Sequence, residues 1–226
     1  NGTTVGSQLT PVFDCAPPPF TSPDCNMQTN GTTDYVQVAH NAVFNLSNFT
    51  VGAYVKTTDA SGNYKNILWK EVGGGNANYA LYITNTNKAQ VTFQKNPIVG
   101  AAPNATGTTT ITDGSWHYLV GTYDGNNLKL YVDGVLEATT ATTATPLTGS
   151  GAFYVASSAG SNNYNGSMDE ISVWNRALSA AEVTNLIGQR LVGNETGLTA
   201  YYNFASNNKN GQGQTILNSC IATGSA

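Results

Sequence analysis

The adjacent carboxylates Asp169 and Glu170 are the first place to look for chemistry in this chain. Hydrolysis of a glycosidic bond needs two carboxyl groups about 5–10 Å apart across a cleft. Neighbouring residues of a strand point to opposite faces, so this pair is not expected to act together. Asp133 and Glu137 flank an Asp-Gly turn, where solvated positions are the rule. Glu71 stands beside the flexible run VGGGNANY with no acidic partner in reach. The 13 acidic residues contain no E-x-D-x-x-E pattern that would set two carboxylates on one strand face, and the histidines number only 2, His40 and His117. No G-x-S-x-G and no plausible Cys–His pair occurs. No catalytic residue is expected.

Binding chemistry is better represented. Sugars stack their apolar faces on aromatic rings, while amide and carboxyl oxygens take their hydroxyls. Three segments combine loop-forming residues with an aromatic: Asp59–Lys65 with Tyr64, Gly73–Tyr79 with Asn76, Asn78 and Tyr79, and Ser157–Asn165 with Asn162, Asn163 and Tyr164. Loops held on a rigid scaffold are where ligand contacts concentrate. Glycans or cell-surface glycoproteins are the partners this mixture suits, although the same residues are ordinary in sandwich loops. Trp69, Trp116 and Trp174 are assigned to the core.

Composition narrows the classes further. Only 10% of the 226 residues are charged, against a usual quarter or so, and Asn, Thr and Ser take over the surface. The net charge is −4 and the 9 Lys and Arg are scattered singly, which speaks against a nucleic-acid partner. No apolar run approaches the roughly 18 residues of a membrane span, so membrane insertion is not expected. The first residue is Asn1, which reads as a mature product or an excised segment. Cys15 and Cys25 bracket the proline-rich APPPFTSPD, a loop unsuited to a central strand. A disulfide closing it is expected, with free thiols as the alternative, and Cys220 is left over for a partner beyond the unit. No C-x-x-C spacing suggests zinc. An extracellular or cell-surface location follows. N-x-S/T triplets begin at Asn1, Asn30, Asn45, Asn48, Asn104, Asn165 and Asn194, but in a chain this rich in Asn, Ser and Thr they permit glycosylation without arguing for it.

The elements that must carry these loops are short strands. YLVGTY and LKLYV are joined by Asp124-Gly125-Asn126-Asn127, a tight hairpin turn that needs positive φ. FTVGAYVKT at 49–57, NILWKEV at 66–72, YALYIT at 79–84, AQVTFQK at 89–95 and MDEISVW at 168–174 read as further strands, with others near 34–39, 108–112, 135–140, 152–156 and 198–204. LSAAEVTNLI reads as a helix near 179–188, with Ser179 as N-cap and Glu182 completing a capping box. Many short strands and one short helix mean an all-β, two-sheet antiparallel sandwich.

WHYLVGTYDGNNLKLYVDG at 116–134 and NGSMDEISVWNRALSAAEV at 165–183, preceded by MQTNGTTDYVQVAH at 27–40, resemble the laminin-G-like, concanavalin A-like jelly roll of the laminin G/pentraxin superfamily. The resemblance implies a structural Ca²⁺ on the side of the sandwich, with Asn30 and Asp169 at the ligand positions, and a structural role for His117. It also implies a domain over 27–204, with 1–26 and 205–226 as junction segments. AYYNF and ILNSCIATGSA at one end, and NGTTVG at the other, look like two halves of one segment cut from a tandem array, as in long surface adhesins of Bacteroidetes-like bacteria. Neighbouring copies of the same unit would then be partners, with LTAYYNF beside a following copy. The leading expectation is a non-catalytic adhesion or scaffold module of a cell-surface or secreted fibre. The alternative is a carbohydrate-binding, lectin-like module, and a glycoside hydrolase is the remote one.

Overall fold

Alternation in FTVGAYVK sends Phe49, Val51, Ala53 and Val55 into one apolar cluster, while Tyr54 enters a second cluster on the other side of the same strand. That single strand explains the architecture: one sheet is covered on both faces. The computed structural model describes residues 2–6, 26–204 and 215–217. Cys15, Cys25 and Cys220, and with them the expected disulfide, lie outside the described residues.

In chain order the strands are β1 (Gly2–Gly6), β2 (Met27–Asn30), β3 (Tyr35–Val38), β4 (Phe49–Lys56), β5 (Lys65–Gly73) and β6 (Asn76–Ile83). They continue with β7 (Lys88–Thr92), β8 (Lys95–Asn96), β9 (Asn104–Thr110), β10 (Trp116–Tyr123), β11 (Asn127–Val132) and β12 (Val135–Ala141). β13 (Thr145–Pro146), β14 (Phe153–Val155), β15 (Asn165–Trp174), the helix α1 (Ala180–Asn185), β16 (Leu198–Tyr202) and β17 (Thr215–Leu217) complete the set. An 8-stranded sheet runs β17-β1-β3-β14-β5-β6-β7-β9, and a 7-stranded sheet runs β12-β11-β10-β4-β15-β16 with β2 against β15. All of these pairs are antiparallel, so the fold is the expected sandwich. β1 pairs with β17 of its own chain, Thr3 opposite Ile216, and LTAYY pairs with β15. Both segments thus find a strand partner within their own chain.

Between the sheets an aromatic group locks the layers. Phe49 on β4 lies 5.4 Å from Tyr79 on β6 and 5.8 Å from Tyr123 on β10, and Tyr123 lies 4.6 Å from Phe93. Ring pairs at such separations add to their area burial. Gly121 marks the closest approach of the layers, because a methyl group there would meet the Val91 side chain. The outer face of the 7-stranded sheet is covered by the chain from Leu178 to Leu198, with Leu178 and Val183 packing on Tyr54, Tyr118, Tyr131 and Trp174. The capping box at Ser179 and Glu182 forms as expected, but the helix stops at Asn185. The Asp124–Asn127 turn also forms: Gly125 has φ +92° and Asp124 Oδ1 accepts from the Asn126 and Asn127 amides. Among the described residues no helix is long and apolar enough to cross a membrane.

The assignment of all three tryptophans to the core needs correcting. Trp174 is 2% exposed, but Trp116 is only partly buried at the margin of the outer cluster and Trp69 faces outward from β5. Gly121→Ala is expected to cost about 1–3 kcal/mol by overpacking against Val91. Phe49→Ala should cost about 3–5 kcal/mol, and Trp116→Ala less than Phe49→Ala. Urea unfolding of the three variants checks this order, and a larger loss at Trp116 would misplace the core.

Candidate functional site

The outer face of the 8-stranded sheet is organised by register. Tyr79, Leu81 and Ile83 of β6 point into the core, which leaves Ala80 and Tyr82 on the outside. Ala80 stands opposite Trp69 of β5 on one side and Thr92 of β7 on the other. Tyr154 of β14 pairs with Trp69 and continues the row. One position along, Tyr82 stands opposite Asn66 and Gln90. Two large aromatics thus flank a small alanine across neighbouring strands.

Above this row is a cleft of about 310 Å³. Tyr64, Trp69 and Tyr82 supply its rings, and Asn66, Asn76, Gln94 and Asn162 its amides. Tyr64 is 46% exposed and meets Tyr82 edge-on at 5.8 Å between ring centroids. Burial, with Tyr64 nearby, pushes the Tyr82 hydroxyl up to about 12, so it stays protonated as a hydrogen-bond donor. Asn66 fixes the far wall: its amide donates to the Asn162 carbonyl at 2.8 Å, and its Nδ2 donates to Ser158 Oγ at 2.9 Å. Asn162 itself adopts φ +50°, which Asn tolerates better than most residues.

Of the residues proposed from the sequence, Tyr64, Asn76 and Asn162 come together in this cleft. The others do not. Asn78 is fully buried, accepting from the Leu46 amide at 2.8 Å and donating to the Leu46 and Leu147 carbonyls. Tyr79 belongs to the inter-sheet aromatic group and is 0% exposed. Tyr164 is equally buried, its hydroxyl donating to the Ser167 carbonyl. Asn163 donates its side-chain amide to the Thr32 carbonyl and lines a neighbouring recess. Trp69, Tyr82, Asn66 and Gln94 were missed, although their parity along NILWKEV and YALYI distinguishes at least Tyr82 from its core neighbours.

The neighbouring recess, of about 510 Å³, shares Tyr64 and Asn162 as walls. Its floor holds Lys65, whose ammonium donates to the Asn63 carbonyl at 3.0 Å and lies 3.8 Å from Asp59. Burial is the largest single influence on Asp59 and pushes its carboxyl up, but the Ser61 amide it accepts from and the Lys65 contacts together hold it below the ordinary carboxylate range.

The expected calcium pair is not brought together. Asn30 pairs with Asn165, so Asp169 is four residues further along β15, about 13 Å away at strand rise. Asn30 Oδ1 already accepts from the amides of Thr32, Thr33 and Asp34 and from the Thr32 hydroxyl. Among the described residues no group of three or more His, Cys, Asp or Glu could hold a metal ion. Asn30 and Asp169 do not fit one Ca²⁺.

Asp169 and Glu170 are a second correction. A bulge in β15 between Asp169 and Ser172 puts Glu170 at φ +52°, so both carboxyls lie on the outer face instead of on opposite faces. Tyr201 donates its hydroxyl to Glu170 Oε2, Arg190 Nε approaches Glu170 Oε1 at 3.7 Å, and Asp169 Oδ2 has no hydrogen-bond partner. At 1% and 4% exposure neither carboxyl can reach a substrate. Burial pushes Asp169 up to about 8, helped by the neighbouring Glu170, and Glu170 up to about 7. His117, expected to be structural, bridges Asp133 at 2.8 Å and Asp113 at 3.2 Å, and the Asp133 contact raises its pKa.

Two antiparallel sheets with a laterally placed helix and this strand order define a concanavalin-like jelly roll. The chain belongs to the Concanavalin A-like lectin/glucanases superfamily: the Laminin_G_3 model matches residues 30–184, more than half of its length. Solved structures share the fold. A Bacteroides ovatus protein named as a candidate carbohydrate-binding protein is 17% identical with a TM-score of 0.61, and the match covers 91% of this chain and 52% of that one. The chain thus spans about half the length of that structure. The CBM40 of a Ruminococcus gnavus IT-sialidase, solved with α2,3-sialyllactose, is 16% identical at TM-score 0.57 over 72% of this chain and 96% of that one. The binding domain of botulinum neurotoxin serotype G is 14% identical at TM-score 0.62, covering 82% of this chain and 46% of that one. A search of curated proteins gave no match.

The buried acids and His117 make stability fall as pH rises. A group whose folded pKa is raised binds its proton more tightly in the folded chain, so its contribution is complete below the unfolded pKa, about 4 for a carboxyl and 6.5 for His. The contribution is lost as pH rises through the folded values, about 7 for Glu170, about 8 for Asp169 and above 6.5 for His117. Urea midpoints measured from pH 5 to pH 9 are expected to decline, and Glu170→Gln should flatten the slope. A midpoint that rises over this range would contradict the assignment.

Proposed function

We propose that this domain is a carbohydrate-binding module that takes its glycan on the outer face of the 8-stranded sheet. The observation that carries the reading is the cleft lined by Tyr64, Trp69 and Tyr82, with amides at its rim. A pyranose ring laid between Trp69 and Tyr82 stacks its apolar C–H face, and Asn76, Gln94 and Asn162 take its hydroxyls. The clamp of Asn66 on the 157–164 loop keeps one wall in place before the ligand arrives, which lowers the ordering cost of binding. Likeness to a domain named for carbohydrate binding and to one solved with sialyllactose supports the same reading. The sealed position of Asp169 and Glu170 supports a non-catalytic role. A module of this kind acts outside the cell or on its surface. The adhesive-scaffold expectation has no observation of comparable weight behind it.

Trp69→Ala and Tyr82→Ala are each expected to weaken glycan binding by about tenfold, roughly 1.4 kcal/mol, while unfolding stays cooperative. Isothermal titration with any hit from a glycan array reads the change. Unaltered affinity in both variants would remove the cleft from the binding site.

A further inference from the structure

Given a glycan in this cleft, the lining specifies its charge. Among the described residues, those lining the cleft are aromatic, amide, hydroxyl or aliphatic, and none carries a formal charge at neutral pH. Carboxylates stand on two of its borders, and two of the neighbouring ammonium groups are buried. In the recess that shares Tyr64 and Asn162, the Lys65 side chain is 1% exposed and satisfied by Asn63 and Asp59, whereas Asp59 is 21% exposed. An approaching ligand therefore meets the carboxylate and not the ammonium. On the opposite border Glu71 pairs with Ala77 of the cleft wall, and its charge acts on Tyr154, which stands beside Trp69. Lys70, the nearest cation in sequence, is 0% exposed and turned to the carbonyls of Glu71, Gly149 and Gly151. Lys95 directly follows the lining residue Gln94, its ammonium lies near Gly100, and it is the border cation an acidic sugar would have to recruit. A net charge of −4 over the chain adds a weak field of the same sign as the border carboxylates.

We infer that this cleft selects neutral glycans and discriminates against sialylated, sulfated or uronic-acid forms of the same sugars. A carboxylate or sulfate placed here would lose its hydration to amides and rings with no cation in the lining to replace it, while the carboxylates of Asp59 and Glu71 stand on the borders. The inference rests on the carbohydrate-binding reading, and it runs opposite to what the sialyllactose complex of the structurally similar CBM40 would suggest by analogy.

The test is an array of matched pairs: neutral galactosides, glucans and mannans, each beside its sialylated, sulfated or uronate-bearing counterpart. Hits among the neutral members, with the charged counterparts at least tenfold weaker, are the expected result. Hits confined to the charged members would overturn the inference and leave carbohydrate binding standing. No hit in either column would remove the carbohydrate-binding reading itself and the inference with it. For a neutral hit, titration calorimetry in 50 and 500 mM NaCl is expected to agree within about twofold, because no ion pair is formed. Lys95→Gln should leave that affinity unchanged, and Glu71→Gln should narrow the gap to the charged counterpart. A tenfold loss in Lys95→Gln, or a steep salt dependence, would show that a charge is being read after all.

Discussion

The pleat of β5 and β6 makes the core and the cleft a single problem. Tyr79, Leu81 and Ile83 fill the space between the sheets, and the residue between the last two is Tyr82, which the same pleat turns outward. A one-residue slip of β6 would exchange the two sets and destroy both at once. The register is pinned from several directions. Trp69 stands opposite Ala80, the Phe49–Tyr79 contact ties β6 to the other sheet, and Asn78 is clamped between Leu46 and Leu147. The position of the binding rings is therefore as rigid as the core that fixes it.

The second sheet uses a different solution. Its central strands β4 and β15 are buried on both faces, because the segment after β15 folds back over the outside. Such burial is more usual for parallel sheets, and it removes that face from any contact with ligand. It also traps two carboxyls that would otherwise be solvated. The bulge at Glu170 gives that side chain a direction no regular strand position offers, toward Tyr201 and Arg190. The aromatic cleft belongs to one sheet and this buried polar cluster to the other, on opposite sides of the apolar core.

The sandwich could be read from the sequence because local signals agreed: hairpin turns with Gly125 and Gly134, the capping box at Ser179, and period-two runs such as FTVGAYVK. The cleft was half legible. Tyr64, Asn76 and Asn162 lie in loops, where composition alone suggests contact with ligand. Trp69 and Tyr82 lie in strands, and an aromatic residue in a strand suggests core unless its parity is compared with that of its neighbours. Asn78 and Tyr79 failed for the converse reason, since the glycine run ends before them and β6 has already begun burying side chains, and Tyr164, just before β15, is buried in the core. The bulge at Glu170 left no mark in MDEISVW. A non-glycine residue at positive φ there is set by tertiary pairing against Tyr54 and Gly52, not by any local preference.

Lys65 has a consequence of another kind. Loops with alternating Asp, Ser and Asn oxygens commonly need a dissolved cation to hold them together, and they loosen when the ion is diluted away. In 59–65 the positive group is the ammonium of the last residue, buried against Asp59 and the Asn63 carbonyl. A counter-ion tethered by its own side chain has an effective concentration fixed by the tether and independent of the medium. The loop that carries Tyr64 thus draws its positive charge from its own chain.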